Sequence, residues 1–110
     1  MTDPMLDRDR KLRDVTERLI QAYRPERIYL FGSMARGDAG PDSDYDLLVV
    51  VSDDAERERR GSRLAYVALR GTGIAADVFV STRARFDARA HVLASLPATV
   101  IREGRLLHVA

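Results

Sequence analysis

The chain has 110 residues, of which 45% are hydrophobic and 32% charged, with a formal net charge of +1 and no cysteine. This length and composition fit one folded domain over residues 1–110, and they exclude a disordered polymer, disulfides, zinc thiolate sites and a thiol nucleophile. The near-neutral charge argues against a broad nucleic-acid surface. No apolar run approaches a membrane span, and the charged N-terminus, Asp3 to Lys11, is not a signal peptide. A cytoplasmic protein without a membrane partner is expected. Lys11 is the one lysine among 18 basic residues, a bias that reads as codon usage and not as arginine-based recognition.

From about Leu6 to Tyr23, apolar residues at Leu12, Val15, Leu19 and Ala22 have the spacing of one helical face, and Pro25 ends that helix. Arg27 to Phe31 reads as a strand and Gly32 as a turn, with a short helix over Ser33 to Gly37. Asp38 to Ser43 is a loop punctuated by Gly40-Pro41. Tyr45 to Val51 is almost wholly apolar, the pattern of a strand buried on both faces. Ser52 or Asp53 can cap a helix running to about Arg70, whose arginine-rich first half is expected to be a solvated face with internal Glu–Arg pairs. Gly71 and Gly73 end it. Ile74 to Val80 is a third strand, Arg83 to Leu93 has helical spacing, Pro97 opens a short helix ending at Gly104, and Leu106 to Val109 is a last strand. This order implies an α/β (α+β) fold, a small mixed sheet with helices packed mainly on one face.

Three features carry chemistry. Gly32-Ser33 lies at a strand-to-helix turn, where glycine admits a close ligand and a first-turn serine offers a hydroxyl and free backbone N–H groups to phosphate. Arg36, about one turn along, can add a charge-assisted contact. Asp44 and Asp46 have the i, i+2 relation that points both to one side of a strand, their Cα atoms about 6.6 Å apart. Carboxylates so placed can converge on two cations about 3.5–4 Å apart. Asp46 also enters a buried run, where an unpartnered carboxylate is costly. Asp77 repeats that situation in the third strand. If the two strands are neighbours, three carboxylates meet, and two such charges about 5 Å apart repel by roughly 3 kcal/mol at an effective dielectric of about 20. A divalent cation relieves that repulsion, and oxygen ligands beside phosphate favour magnesium over zinc. His91 and His108 are isolated and read as surface or strand-end histidines. Tyr45 is expected to pack behind the carboxylate strand.

Gly32-Ser33, ten residues, Asp44-x-Asp46 and the later strand Asp77 resemble the signature of the DNA polymerase beta-like nucleotidyltransferase superfamily. The chain is most similar to its minimal, MNT-type branch, the antitoxin partners of HEPN-domain toxins. The resemblance runs from the N-terminal helix to Arg102-Glu103-Gly104-Arg105-Leu106-Leu107 and includes Ala35-Arg36-Gly37. Met34 departs from it, standing where the family often has a basic residue.

The resemblance implies that Asp44 and Asp46 hold two Mg²⁺ ions, and that Asp77 holds the second and orients the attacking hydroxyl. It also implies that Gly32 and Ser33 bind the triphosphate of ATP. The expected activity is transfer of AMP from ATP to a hydroxyl, that of a tyrosine on a HEPN toxin, within a hetero-oligomer of the two proteins. Two alternatives stand beside it. One is a non-catalytic antitoxin that neutralises by binding; the other is the catalytic subunit of a small-molecule (aminoglycoside-like) nucleotidyltransferase. The larger relatives' helical acceptor domain has no counterpart in this sequence, so the acceptor is expected to come from another protein.

Overall fold

The computed structural model describes residues 3–40 and 43–110; Pro41 and Asp42 of the expected loop lie outside the described residues. The N-terminal helical segment is two helices, α1 (Met5–Arg8) and α2 (Arg10–Tyr23), and not the single helix that periodicity predicts. The break is Asp9, whose extended backbone (φ −116°, ψ 98°) leaves the helix while its side chain caps the next one, accepting from the Leu12 N–H at 3.0 Å. Arg24, in the left-handed conformation (φ 47°), ends α2 just before Pro25.

Four strands follow: β1 (Arg27–Phe31), β2 (Tyr45–Val51), β3 (Ala76–Thr82) and β4 (Arg105–Val109). The order is β3-β2-β1-β4; β1 is antiparallel to β2 and β4, whereas β2 and β3 run parallel. A parallel pair cannot be joined by a hairpin, so the chain crosses over between β2 and β3. That crossover contains α4 (Arg63–Leu69).

The alternation of β2 divides the core. Tyr45, Leu47, Val49 and Val51 join the larger apolar cluster with Leu12, Val15, Leu19 and Ala65, under α2 and α4. Leu48 and Val50 join a smaller cluster with Phe86 of α5 (Arg83–Arg89) and Val100 of α6 (Leu96–Glu103). The Tyr29 and Phe86 rings stack at 5.5 Å, fixing α5 on this second face. Only part of that face is covered, and the uncovered part carries the candidate site.

The crossover differs from its expected form. Residues Arg57–Arg60 make a 3-10 turn, Gly61 is extended (φ −122°, ψ 169°), and α4 starts only at Arg63. In the tighter turn the i, i+4 pairing of a regular helix is lost. Among the described residues no ion pair joins Glu56 or Glu58 to an arginine. Fully buried Tyr23 braces the break: its hydroxyl donates to the Gly61 carbonyl at 2.6 Å and accepts from the Ala65 N–H at 2.8 Å. β3 likewise starts two residues later than expected. Thr72 Oγ1 donates to the Leu69 carbonyl at 2.8 Å and accepts from the Ile74 N–H at 3.1 Å, which holds Ile74 in the turn. Strand pairing then opens at Tyr45 opposite Ala76.

Tyr45 lies behind β2 as expected, but its hydroxyl is held inside the fold. It donates to Asp9, at 2.9 and 3.0 Å from the two carboxylate oxygens. Burial first, then the hydrogen bond and charge of Asp9, push its pKa up to about 12. Since the folded value exceeds the unfolded one, this contribution to stability is complete below about pH 10 and lost as pH rises toward 12. Ultraviolet titration of phenolate absorbance should therefore show late-titrating tyrosine, reduced by one group in Tyr45→Phe. An unchanged late component in that variant would show that Tyr45 is not so held.

Candidate active site

The site is built where β1 gives way to α3 (Gly32–Arg36). Phe31 is still extended (φ −139°), and Gly32 then takes φ +73°, a conformation that side chains rarely adopt. The reason for a glycine is also spatial. A Cβ at residue 32 would overlap Asp46 Oδ2 and stand 3.2 Å from its Cγ. The turn and the Asp44-x-Asp46 motif, twelve residues apart in sequence, are therefore in contact. The strand register explains this, because Phe31 is the cross-strand partner of Asp46. Ser33 occupies the first turn of α3, where backbone N–H groups have no partner within the helix. Its carbonyl closes the helix, accepting from the Gly37 N–H at 3.0 Å and the Asp38 N–H at 3.2 Å.

Asp46 is the one residue of β2 that is only partly buried, the other six being buried. It pairs with Asp77 across the parallel strands, so the two carboxylates share a sheet face on chains about 4.8 Å apart. Asp44 lies just before the strand, two residues from Asp46. Burial first, then the charges of Asp77 and Asp44, raise the Asp46 carboxyl above its ordinary value, and the Arg36 guanidinium opposes the shift. The charges of Asp44 and Asp77 both reach Asp46. Among the described residues, however, no three carboxylate or imidazole side chains converge closely enough to cage a metal ion.

Arg36 serves the site electrostatically while holding Asp38 at 3.2 Å in an exposed pair. An open cleft of about 670 Å³ lies beside α3; Met34 and Gly37 line it together with Ser43, Asp44 and Lys11 of α2. Lys11 was not singled out by its sequence context, because only the fold brings α2 to the start of β2. The Asp9–Tyr45 bond is a second such element: it ties the α1–α2 break to the residue between Asp44 and Asp46. An aspartate at a helix start was its only sequence signal.

A strand, a glycine–serine turn touching a strand carboxylate, and a second carboxylate on the adjacent parallel strand are the elements that the resemblance to nucleotidyltransferases leads one to expect. The family model described as nucleotidyltransferase domain matches residues 10–106, and the chain belongs to that family. Among solved structures, the chain is similar to a candidate nucleotidyltransferase from Sulfolobus solfataricus, with 23% identity over 88% of this chain and 76% of that one, at a TM-score of 0.58. It is similar in the same degree to a chain of a toxin–antitoxin complex with AMP-PNP, with 23% identity over 88% and 73% of the two chains and a TM-score of 0.58. A third likeness is to the complex of tri-AMPylated Shewanella oneidensis HEPN toxin with MNT antitoxin, with 18% identity, 91% and 73% coverage and a TM-score of 0.50. At these identities the likeness is one of fold. No curated protein matches the chain.

Proposed function

We propose that this protein is a magnesium-dependent minimal nucleotidyltransferase that transfers AMP from ATP to a hydroxyl, that of a tyrosine, on a HEPN-type protein partner, and so acts as the antitoxin of the pair. The observation that carries this reading is the contact between Gly32 and Asp46, which makes the phosphate-type turn and the paired aspartates a single site. The solved complexes of similar fold, one with AMP-PNP and one with an AMPylated HEPN toxin, support the choice of nucleotide and partner.

The donor set fits divalent cations by its chemistry: three carboxylates, no sulfur or imidazole, and an Asp46 carboxyl whose ionised form is disfavoured first by burial and then by the Asp77 and Asp44 charges. Asp44, Asp46 and Asp77 would hold two Mg²⁺ ions. Cations bound there supply positive charge to the attacking and leaving oxygens of an in-line displacement. Gly32 and Ser33 bind the triphosphate through backbone N–H groups and the serine hydroxyl, and Arg36 contributes a guanidinium. Asp77 orients the acceptor hydroxyl and takes its proton. The hydroxyl oxygen forms a bond to the α-phosphorus, the bond from that phosphorus to the bridging oxygen breaks, and pyrophosphate leaves with the electron pair.

The test is to incubate the chain with Mg²⁺, ATP and the protein encoded beside it, and to record intact masses of both. The partner should gain one or more AMP units with the wild type and none with Asp44→Asn, Asp46→Asn. Neutralisation that persists in the double variant with no mass change would replace this reading with one of binding alone.

A further inference from the structure

Resting on the transferase reading, the acceptor's position can be located on the fold. The parallel register sets Asp46 beside Asp77 and Leu48 beside Phe79. Phe79 therefore stands on the same sheet face as the carboxylates, about 6.6 Å along β3 from Asp77. It is 47% exposed although it lies in a strand, and its ring meets Phe31 at 5.8 Å. These two rings form an apolar ledge against the aspartates. From that ledge an open groove of about 440 Å³ continues along β3, floored by Leu48 and Phe79 and walled by Arg85, Arg89 and Leu96.

The two arginines are four residues apart on α5, so they project from one side of the helix, an arrangement that is mildly unfavourable by itself. Their neighbours find carboxylates, Arg27 with Asp87 at 3.7 Å and Arg83 with Glu26 at 3.5 Å. Among the described residues Arg85 and Arg89 have no such partner. The groove thus offers an apolar floor next to Asp77 and unpaired positive charge at the far wall.

We propose that this groove receives the acceptor segment: a peptide whose modified hydroxyl residue meets Asp77, with an apolar side chain on the Phe79 ledge and acidic residues at Arg85 and Arg89. A peptide can confine its negative charge to the arginine end. An RNA strand carries charge at every residue and would lay phosphates along the apolar Leu48–Phe79 floor, so the peptide is the better complement. A second cleft touches Asp77 at the edge of β3, between Tyr66 and Arg70 of the α4 side. Ala76 and Val78, on either side of Asp77, face the α2–α4 core, so the Asp77 side chain is directed to the other face, where the groove lies.

The test compares wild type with Arg85→Glu, Arg89→Glu and with Phe79→Ser, using Tyr66→Ala as the variant of the other cleft. With the neighbouring protein as acceptor, the groove variants should raise KM for that protein by about 10-fold or more, with kcat and AMP-PNP affinity within about twofold. Arg85→Lys, Arg89→Lys should recover much of the loss, and Tyr66→Ala should have no effect. The proposal is overturned if the groove variants leave KM unchanged, if they weaken AMP-PNP equally, or if Tyr66→Ala carries the loss. If the wild type transfers no AMP at all, the transferase reading fails separately. The groove is then judged by fluorescence anisotropy with a labelled Glu-Glu-Leu-Tyr peptide, a Lys-Lys-Leu-Tyr control and an oligoadenylate of equal charge. Preference for the acidic peptide, lost in the Arg85→Glu, Arg89→Glu variant, supports the proposal; preference for the oligoadenylate, or no binding of either, overturns it.

Discussion

Asp46→Asn is expected to lower AMP transfer by about 10³-fold or more and, unlike most substitutions at a strand, to leave the metal-free protein slightly more stable. On the proposed function, the loss of activity follows from removing the carboxylate that touches both the Gly32 turn and the Asp77 strand, where charge on the transferring group would be balanced. The gain in stability follows from relieving a like-charge pair directly opposed across two strands, an arrangement worth about 0.2–1 kcal/mol. The sign with pH is determined by the raised carboxyl of Asp46, whose first cause is burial and second the Asp77 charge. A folded value above the unfolded one favours the wild type at acid pH and costs stability as pH rises through it. The difference in Tm between Asp46→Asn and wild type should therefore be positive near neutrality and vanish below about pH 4. Adding Mg²⁺ with AMP-PNP should stabilise the wild type and not the variant. A variant that is less stable at neutral pH, or that keeps its activity, would remove Asp46 from the centre of the site.

The second large effect is expected of Gly32→Ala, a change of one methyl group. Left-handed backbone at a residue with a Cβ costs about 1–2 kcal/mol, and the methyl also lands on the Asp46 carboxylate. The turn can relieve the overlap only by moving that carboxylate or itself, and a displacement of about 1 Å in such a site costs about 10²-fold in rate. We expect a Tm lower by several degrees, consistent with about 4–8 °C per kcal/mol for a domain of this size. AMP transfer should fall at least 10²-fold. The contrast with Asp46→Asn is diagnostic: both depress transfer strongly, but one destabilises the protein and the other does not. If Gly32→Ala were neutral in Tm and activity alike, the turn would not press on Asp46 as the structure has it.

The residues of the candidate site were visible in the sequence because each stands out from its local pattern. Asp46 and Asp77 interrupt runs of apolar residues, and a strand has no inexpensive way to bury an unpaired carboxylate. Gly32-Ser33 falls where a strand pattern stops and a helical one begins. The strand period of two was enough to set Tyr45 and Leu47 opposite Asp46, and the larger core under α2 confirms it. Local spacing was less informative where a single polar side chain redirects the backbone. Asp9 breaks the first helix by capping the second, Thr72 delays β3, and Gly61 with the Tyr23 hydroxyl splits the crossover. Each breaks a periodic pattern through a hydrogen bond that periodicity does not register.

By itself, then, the sequence determined the chemistry available to this protein: a glycine–serine turn, three strand-associated aspartates and an α/β order with no thiol. Only the tertiary structure decided which of these meet. It placed Asp46 opposite both Phe31 and Asp77, pressed its carboxylate against Gly32, tied Tyr45 to Asp9 and opened the arginine-walled groove beside Phe79. The physical reason is that strand register and helix packing are properties of the whole sheet. Side-chain types and local periods are written residue by residue, but contacts between distant residues exist only once the strands have paired.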